Sequence, residues 1–260
     1  MPKALQTQLE IDLKALAHNY QYLKSKLSSK TRFLGVVKAF AYGNDSITIA
    51  KTLTDLGADY LAVAYVHEGV ALRDAGIELP ILVLHPQISN FKTLIDHCLE
   101  PSLYSSRVLK TFIKEAESRA QINFPVHIKF NTGLNRLGFL ENDMAFIMSQ
   151  LKGTEAIKVT SIFSHLAASE DINEQVFTQT QISHLVEISE TPPVEGVPAL
   201  FPLHSAKLFW NCSIGEEGAH PELGRGRLLD GLVVVEGDEK ARLAQHCPKS
   251  SKNLLLLRSD

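Results

Sequence analysis

Short runs of apolar and β-branched residues return along this chain at spacings of about 20 to 30 residues, separated by amphipathic segments long enough to be helices. Six of them are clear: Leu34 to Val37, Tyr60 to Ala64, Ile81 to Leu84, Ser102 to Tyr104, Val126 to Phe130 and Val159 to Ser164. Strand and helix in regular alternation are what parallel βα units require, because two parallel neighbours need a crossover of helical length. Six such units in a row favour a closed ring over an open sheet. The 260 residues also match the roughly 250 of one (β/α)8 TIM-type barrel, so the predicted fold class is α/β with one such barrel. Before the first unit, Gln6 to Leu13 alternates apolar and polar residues and reads as a strand. Asp12 then stands as an N-cap ahead of a helix with apolar positions Leu13, Leu16, Ala17, Tyr20 and Leu23.

The rhythm breaks after about residue 190. The stretch TPPVEGVPALFP is dense in proline, and Asn211 to Asp260 contains no aromatic residue. A seventh strand is expected at FPLHS, 201 to 205, and an eighth within LLDGLVVV, 228 to 235. The glycine-rich stretch between them and the tail CPKSSKNLLLLRSD are poor barrel material. The division is therefore a barrel of six βα units over 1 to 190, then a divergent end of the barrel and tail over 191 to 260, with the barrel incomplete or irregular at its C-terminal end.

Composition narrows the function classes. A net charge of −3 without a long basic cluster gives no support for nucleic acid or an anionic membrane surface, which leaves a small molecule as the expected partner. No stretch is long enough to span a membrane, and the N-terminal MPKALQTQLEID carries charge where a signal peptide needs an apolar run. Cys98, Cys212 and Cys247 are odd in number, widely spaced and without metal-ligand spacing, which suits reduced thiols in the cytoplasm and predicts no metal site.

Catalytic groups of a barrel of this type lie where the strands end and in the loops that follow. Lys38, Asn131 to Arg136 and His165 all fall at such ends. Lys38 closes the run Leu34 to Val37 and precedes Ala41, Gly43, Asn44 and Asp45, which read as a loop. A lysine held there in apolar surroundings loses hydration, its pKa falls, and its amine can condense with an aldehyde; the alternative is a strand-end lysine that snorkels to water. Arg136 lies in TGLNRLG, where Gly133 and Gly138 permit tight turns. Its planar fork suits a carboxylate or a phenolate, although an arginine in a loop is also commonly a solvated charge. His165 ends VTSIFSH and is expected to position rather than to act as a base.

The stretch VVKAFAYG resembles the signature around the cofactor lysine of the alanine racemases. LEIDLKALAHNYQYLKSKL, HIKFNTGLNRLGF and SIFSHLAASED are similar to that family in order and spacing, over residues 5 to about 188. The resemblance implies a pyridoxal-phosphate-dependent isomerase that interconverts L- and D-alanine, with D-alanine feeding bacterial peptidoglycan synthesis. It implies that Lys38 is both cofactor anchor and one of two proton-transfer residues, and that Tyr42 bonds the phosphate. Arg136 would touch the cofactor's ring oxygen and the substrate carboxylate, and His165 would pack against the ring. Lys129 matches a position carbamylated in some members, but Asn131 replaces the aspartate common there and argues against that modification.

The later residues depart from the family pattern. His204 precedes Ser205 where an Asn-Ser pair is expected to hold the phosphate. Arg225 is the nearest counterpart of the arginine that bonds the pyridine nitrogen, at a different spacing. The family's second proton-transfer tyrosine lies in a C-terminal β domain that also builds its homodimer. Every tyrosine here stands at or before Tyr104, so that domain and that base are expected to be missing. Three readings follow: a racemase impaired by this loss, a barrel that binds pyridoxal phosphate without racemising, and an inactive fragment with a truncated or frameshifted tail.

Overall fold

The computed structural model describes residues 10–25, 27, 31–169 and 171–190, together with strands at 206–212, 231–233, 241–243 and 257–259. Asp12 starts the first helix, Leu13–Ser25, by accepting the N–H groups of Lys14 and Ala15 at 2.9 and 3.0 Å. The buried face of that helix is Leu16, Asn19, Tyr20 and Leu23, with Leu13 left exposed. Half of the strand expected at Gln6 to Leu13, residues 6–9, falls outside the described residues; in the other half Glu10 to Asp12 form no strand and Leu13 begins the helix.

The six expected strands are all present: β1 (Phe33–Val36), β2 (Tyr60–Val63), β3 (Ile81–Val83), β4 (Glu100–Leu103), β5 (Phe124–Lys129) and β6 (Ile157–His165). The first five end one residue before the sequence pattern stops, at Val37, Ala64, Leu84, Tyr104 and Phe130, where the chain passes from the strands to the rim. Strand β4 begins at Glu100, two residues before the expected start at Ser102; a carboxylate and a proline are poor strand residues and give no local strand signal. Ser105 and Asp45 cap the helices that follow them by accepting backbone N–H groups.

Each of these strands pairs in parallel with the next, and β6 pairs in parallel with β7 (Ala206–Cys212). Strand β8 (Gly231–Val233) closes the ring between β7 and β1, running antiparallel to both. The barrel is therefore closed and irregular at its C-terminal end, as the sequence predicts. The seventh strand stands at 206–212 rather than at 201 to 205, which lie outside the described residues; the eighth falls inside 228 to 235. Two further segments, β9 (Ala241–Leu243) and β10 (Leu257–Ser259), form a separate antiparallel pair.

The alternation of the strands sorts the side chains into two sets. Outward residues such as Leu61, Val63, Ile81, Val83, Val126 and Ile128 join the main core beneath the helices. Inward residues of β1 to β3 and of β6, Leu34, Val36, Tyr60, Ala62, Leu82 and Phe163, form a second cluster inside the barrel. The inward positions of β4 and β5, and Ser161 on β6, are polar. His127 bonds Glu100 Oε2 through Nε2 at 2.7 Å and Ser161 Oγ through Nδ1 at 2.6 Å, with all three residues buried. A Ser-His-Glu array of this kind invites comparison with a hydrolase, but enclosed in the barrel it has no exposed nucleophile and serves as fully bonded packing.

Candidate active site

The rim above β1, β5 and β6 gathers the residues picked out by the sequence. Val37 extends the ladder beyond β1, its N–H bonding Ala62 O at 2.9 Å, so that Lys38 leaves a backbone already fixed. The chain then makes a left-handed helical turn through Ala39, Phe40, Ala41 and Tyr42, with φ of 51°, 54°, 50° and 58°. The sequence predicts a loop over part of this segment. Left-handed helix costs an L-residue roughly 1–2 kcal/mol, so four non-glycine residues in succession need contacts that offset on the order of 4–8 kcal/mol. Burial of Ala41, the Ala41 N–H to Val37 O bond at 3.2 Å and the Asn44 Nδ2 bond to Ala41 O at 2.8 Å supply part of that. The turn brings Lys38 Nζ to 5.7 Å from the centroid of the Tyr42 ring.

Arg136 is presented by a loop that doubles back on its own beginning. Asn131 N–H bonds Phe139 O and Phe139 N–H bonds Lys129 O, both at 2.8 Å. Asn131 Oδ1 accepts the N–H groups of Gly133 and Asn135 at 3.2 and 2.9 Å, while its Nδ2 donates to Asn135 Oδ1 at 2.9 Å. Gly138 makes the crossing possible. At its φ of 135°, a Cβ would stand 2.5 Å from Asn131 N and 2.6 Å from the Phe130 carbonyl carbon, both backbone atoms. The loop is joined to the end of β6 by Gln181, fully buried in the helix Gln175–Glu190. Its Oε1 accepts Ala167 N–H at 2.9 Å, and its Nε2 donates to His165 O at 3.2 Å and Thr132 Oγ1 at 3.4 Å.

Electrostatics joins Lys38, Arg136 and His165 into one cluster, together with Lys129. The Lys129 ammonium is buried at the end of β5, with Nζ 5.9 Å from the Phe163 ring centroid. Burial, reinforced by the charges of Arg136 and Lys38, pulls its pKa from 10.5 down to about 8. His165 is pulled down to about 4, first by burial and then by Lys129, Arg136 and Lys38, so its imidazole is neutral at physiological pH. Every one of these influences acts in the same direction. A cluster of cations with that character fits an anionic ligand bearing phosphate, phenolate or carboxylate oxygens, with Lys38 as the amine able to condense with an aldehyde.

Lys38, Tyr42, Arg136 and His165 thus share one rim, whereas Ser205 and Arg225 lie outside the described residues. Lys129 is the member of the cluster that sequence reasoning set aside. The period-2 alternation carries the signal, since Lys129 shares its strand face with His127 and that face points into the barrel. Gln181 gives no comparable signal, because a glutamine in an amphipathic helix reads as surface.

The family model for the N-terminal domain of alanine racemase matches residues 11–208. The alanine racemase of Thermodesulfovibrio yellowstonii is 34% identical over 197 residues, covering 75% of this chain and 52% of that protein. That of a Nostoc species is 36% identical over 165 residues, 62% of this chain and 43% of the relative. The chain spans about half the length of the curated relatives it matches. Among solved structures, alanine racemase from Clostridium difficile 630 superposes with a TM-score of 0.66 at 30% identity, covering 71% of this chain and 50% of that one. The Enterococcus faecalis enzyme gives a TM-score of 0.65 at 25% identity, covering 76% and 51%.

Proposed function

The chain belongs to the alanine racemase family through its N-terminal domain, and from that membership and the rim geometry we propose that it binds pyridoxal 5'-phosphate at Lys38 and acts on alanine. The observation that carries the reading is the convergence of an amine on a left-handed turn with the buried cation Lys129, Arg136 and a neutral His165. Pyridoxal phosphate, when bound, supplies an electron sink that acidifies the α-hydrogen of an attached amino acid. Lys38 would hold it through Nζ and, once released, move the α-proton on one face. Tyr42 would bond its phosphate, Arg136 its ring oxygen and the substrate carboxylate, and His165 would pack against its ring without changing charge. The proposed setting is the cytoplasm, in keeping with three widely spaced cysteines. The test is the visible absorbance of the protein titrated with pyridoxal phosphate, with Lys38→Ala alongside. The reading expects a band that the substitution abolishes, and a band that survives it would refute Lys38 as the anchor.

A second reading, a barrel that binds the cofactor without racemising, is favoured by the depressed pKa of His165, which leaves Lys38 to carry proton transfer. The two readings part in D2O. A single proton-transfer group exchanges the α-hydrogen of one enantiomer with retention, whereas inversion at a comparable rate requires a second group on the opposite face.

A further inference from the structure

The helix Val66–Asp74 follows β2 and carries a glutamate that acts beyond its own helix. Glu68 Oε2 accepts the N–H groups of Ala64 and Tyr65 at 2.7 and 2.9 Å, the ordinary task of an acidic residue in a first turn. Its other oxygen, Oε1, crosses to the neighbouring βα unit and accepts the N–H of Ala39 at 2.7 Å. Ala39 follows Lys38 in the chain and is the first residue of the left-handed turn. The Ala41 to Val37 and Asn44 to Ala41 bonds are internal to that segment, whereas the Glu68 bond ties it to the barrel. An apolar cleft lined by Val37, Phe40, Val63, His67 and Leu72 adjoins the carboxylate and leaves the turn little packing on that side.

We propose that Glu68 is a positioning residue for Lys38, its carboxylate fixing the peptide after the lysine so that Nζ is held over the rim. The inference rests on the reading of Lys38 as the cofactor lysine. The geometry calls for a carboxylate, because three N–H donors converge on two oxygens. A glutamine would offer one oxygen and set its NH2 against at least one of those donors. Aspartate is shorter by one bond of about 1.5 Å, so it can still cap its own helix but does not reach Ala39. The aspartate variant therefore separates the cap from the clamp.

The experiment compares wild type, Glu68→Asp and Glu68→Gln in the full chain by thermal unfolding, by hydrogen exchange of peptides spanning 38–44, and by equilibrium titration with pyridoxal phosphate read from the Lys38-dependent absorbance. Glu68→Asp is expected to melt within a few degrees of wild type, to exchange the Ala39 amide about tenfold or more faster, and to bind the cofactor about tenfold more weakly. Glu68→Gln is expected to lose more affinity than Glu68→Asp. A merely structural glutamate would lower the melting temperature of both variants and leave exchange and affinity of the folded protein unchanged; that result overturns the proposal. Absence of Lys38-dependent absorbance in wild type would overturn the cofactor reading itself. Its presence, with unchanged exchange and affinity in Glu68→Asp, overturns the positioning role alone.

Discussion

Lys129→Met probes the cation cluster directly, since methionine follows the apolar stem of lysine as far as Cε and removes the ammonium. A native pKa of about 8 against 10.5 in the ordinary state corresponds, at about 1.4 kcal/mol per tenfold, to roughly 3 kcal/mol. The sign follows from proton binding. Between about pH 8 and 10.5 the unfolded chain holds a proton at Lys129 that the native protein has released, so wild-type stability rises with pH across that window. At pH 7 the ammonium is charged in both states and the native state bears the whole cost. In the absence of cofactor, Lys129→Met is therefore expected to be about 2–3 kcal/mol more stable than wild type to urea at pH 7, with the gap narrowing toward pH 10. His165, which Lys129 helps to hold at about 4, should titrate higher in the variant when followed by NMR. Equal stability at pH 7, or a gap that stays constant with pH, would refute the picture of Lys129 as a buried ammonium strained by Arg136 and Lys38. A cation cluster that costs stability is what a trade of stability for anion binding would leave in the protein without its ligand.

The Arg136 loop supports two further tests. Gly138→Ala forces a Cβ to within 2.6 Å of backbone at positive φ, and is expected to cost at least about 2 kcal/mol in urea unfolding and to weaken cofactor binding. A loss below 0.5 kcal/mol would mean that the loop has room to relax. Gln181→Leu removes the bonds to Ala167, His165 and Thr132 while keeping the volume, and is expected to destabilise the fold by about 2–4 kcal/mol, measured in the same way. If Gln181→Leu were as stable as wild type, the buried amide would be joining nothing of consequence.

The barrel was legible because its strands are short β-branched runs whose inward and outward residues both demand burial, and six crossovers of helical length leave few topologies. The start of β4 was not legible. Glu100 sits in a strand with its carboxylate bonded to His127 on the next strand, whose other ring nitrogen bonds Ser161, and a bond across 27 residues leaves no mark on local pattern. The turn after Lys38 was hidden for a related reason. Nothing in Ala39-Phe40-Ala41-Tyr42 announces positive φ, since each prefers the right-handed region, and the opposite hand is held by bonds to Val37 and Asn44 within the segment and to Glu68 outside it. Strand β8 was placed by its apolar run, but its antiparallel direction depends on the path between 212 and 231, which local sequence pattern does not fix.

The neutrality of His165 bears on what this rim can do with protons. A pKa of about 4 leaves roughly one imidazole in a thousand protonated at pH 7, too few for an acid, and a group that weakly basic is a poor acceptor for an α-proton. Burial is the first cause of that depression, and the neighbouring cations, which are the groups expected to hold an anionic cofactor, deepen it. Burial and the charges that would recruit the ligand therefore act together to keep the histidine neutral, which fits the proposal that the proton is moved not by His165 but by Lys38. Its placement rests on the left-handed turn, and the turn is joined through Glu68 to the next βα unit. If Glu68 positions Lys38 as proposed, its substitution registers in cofactor affinity before it registers in global stability.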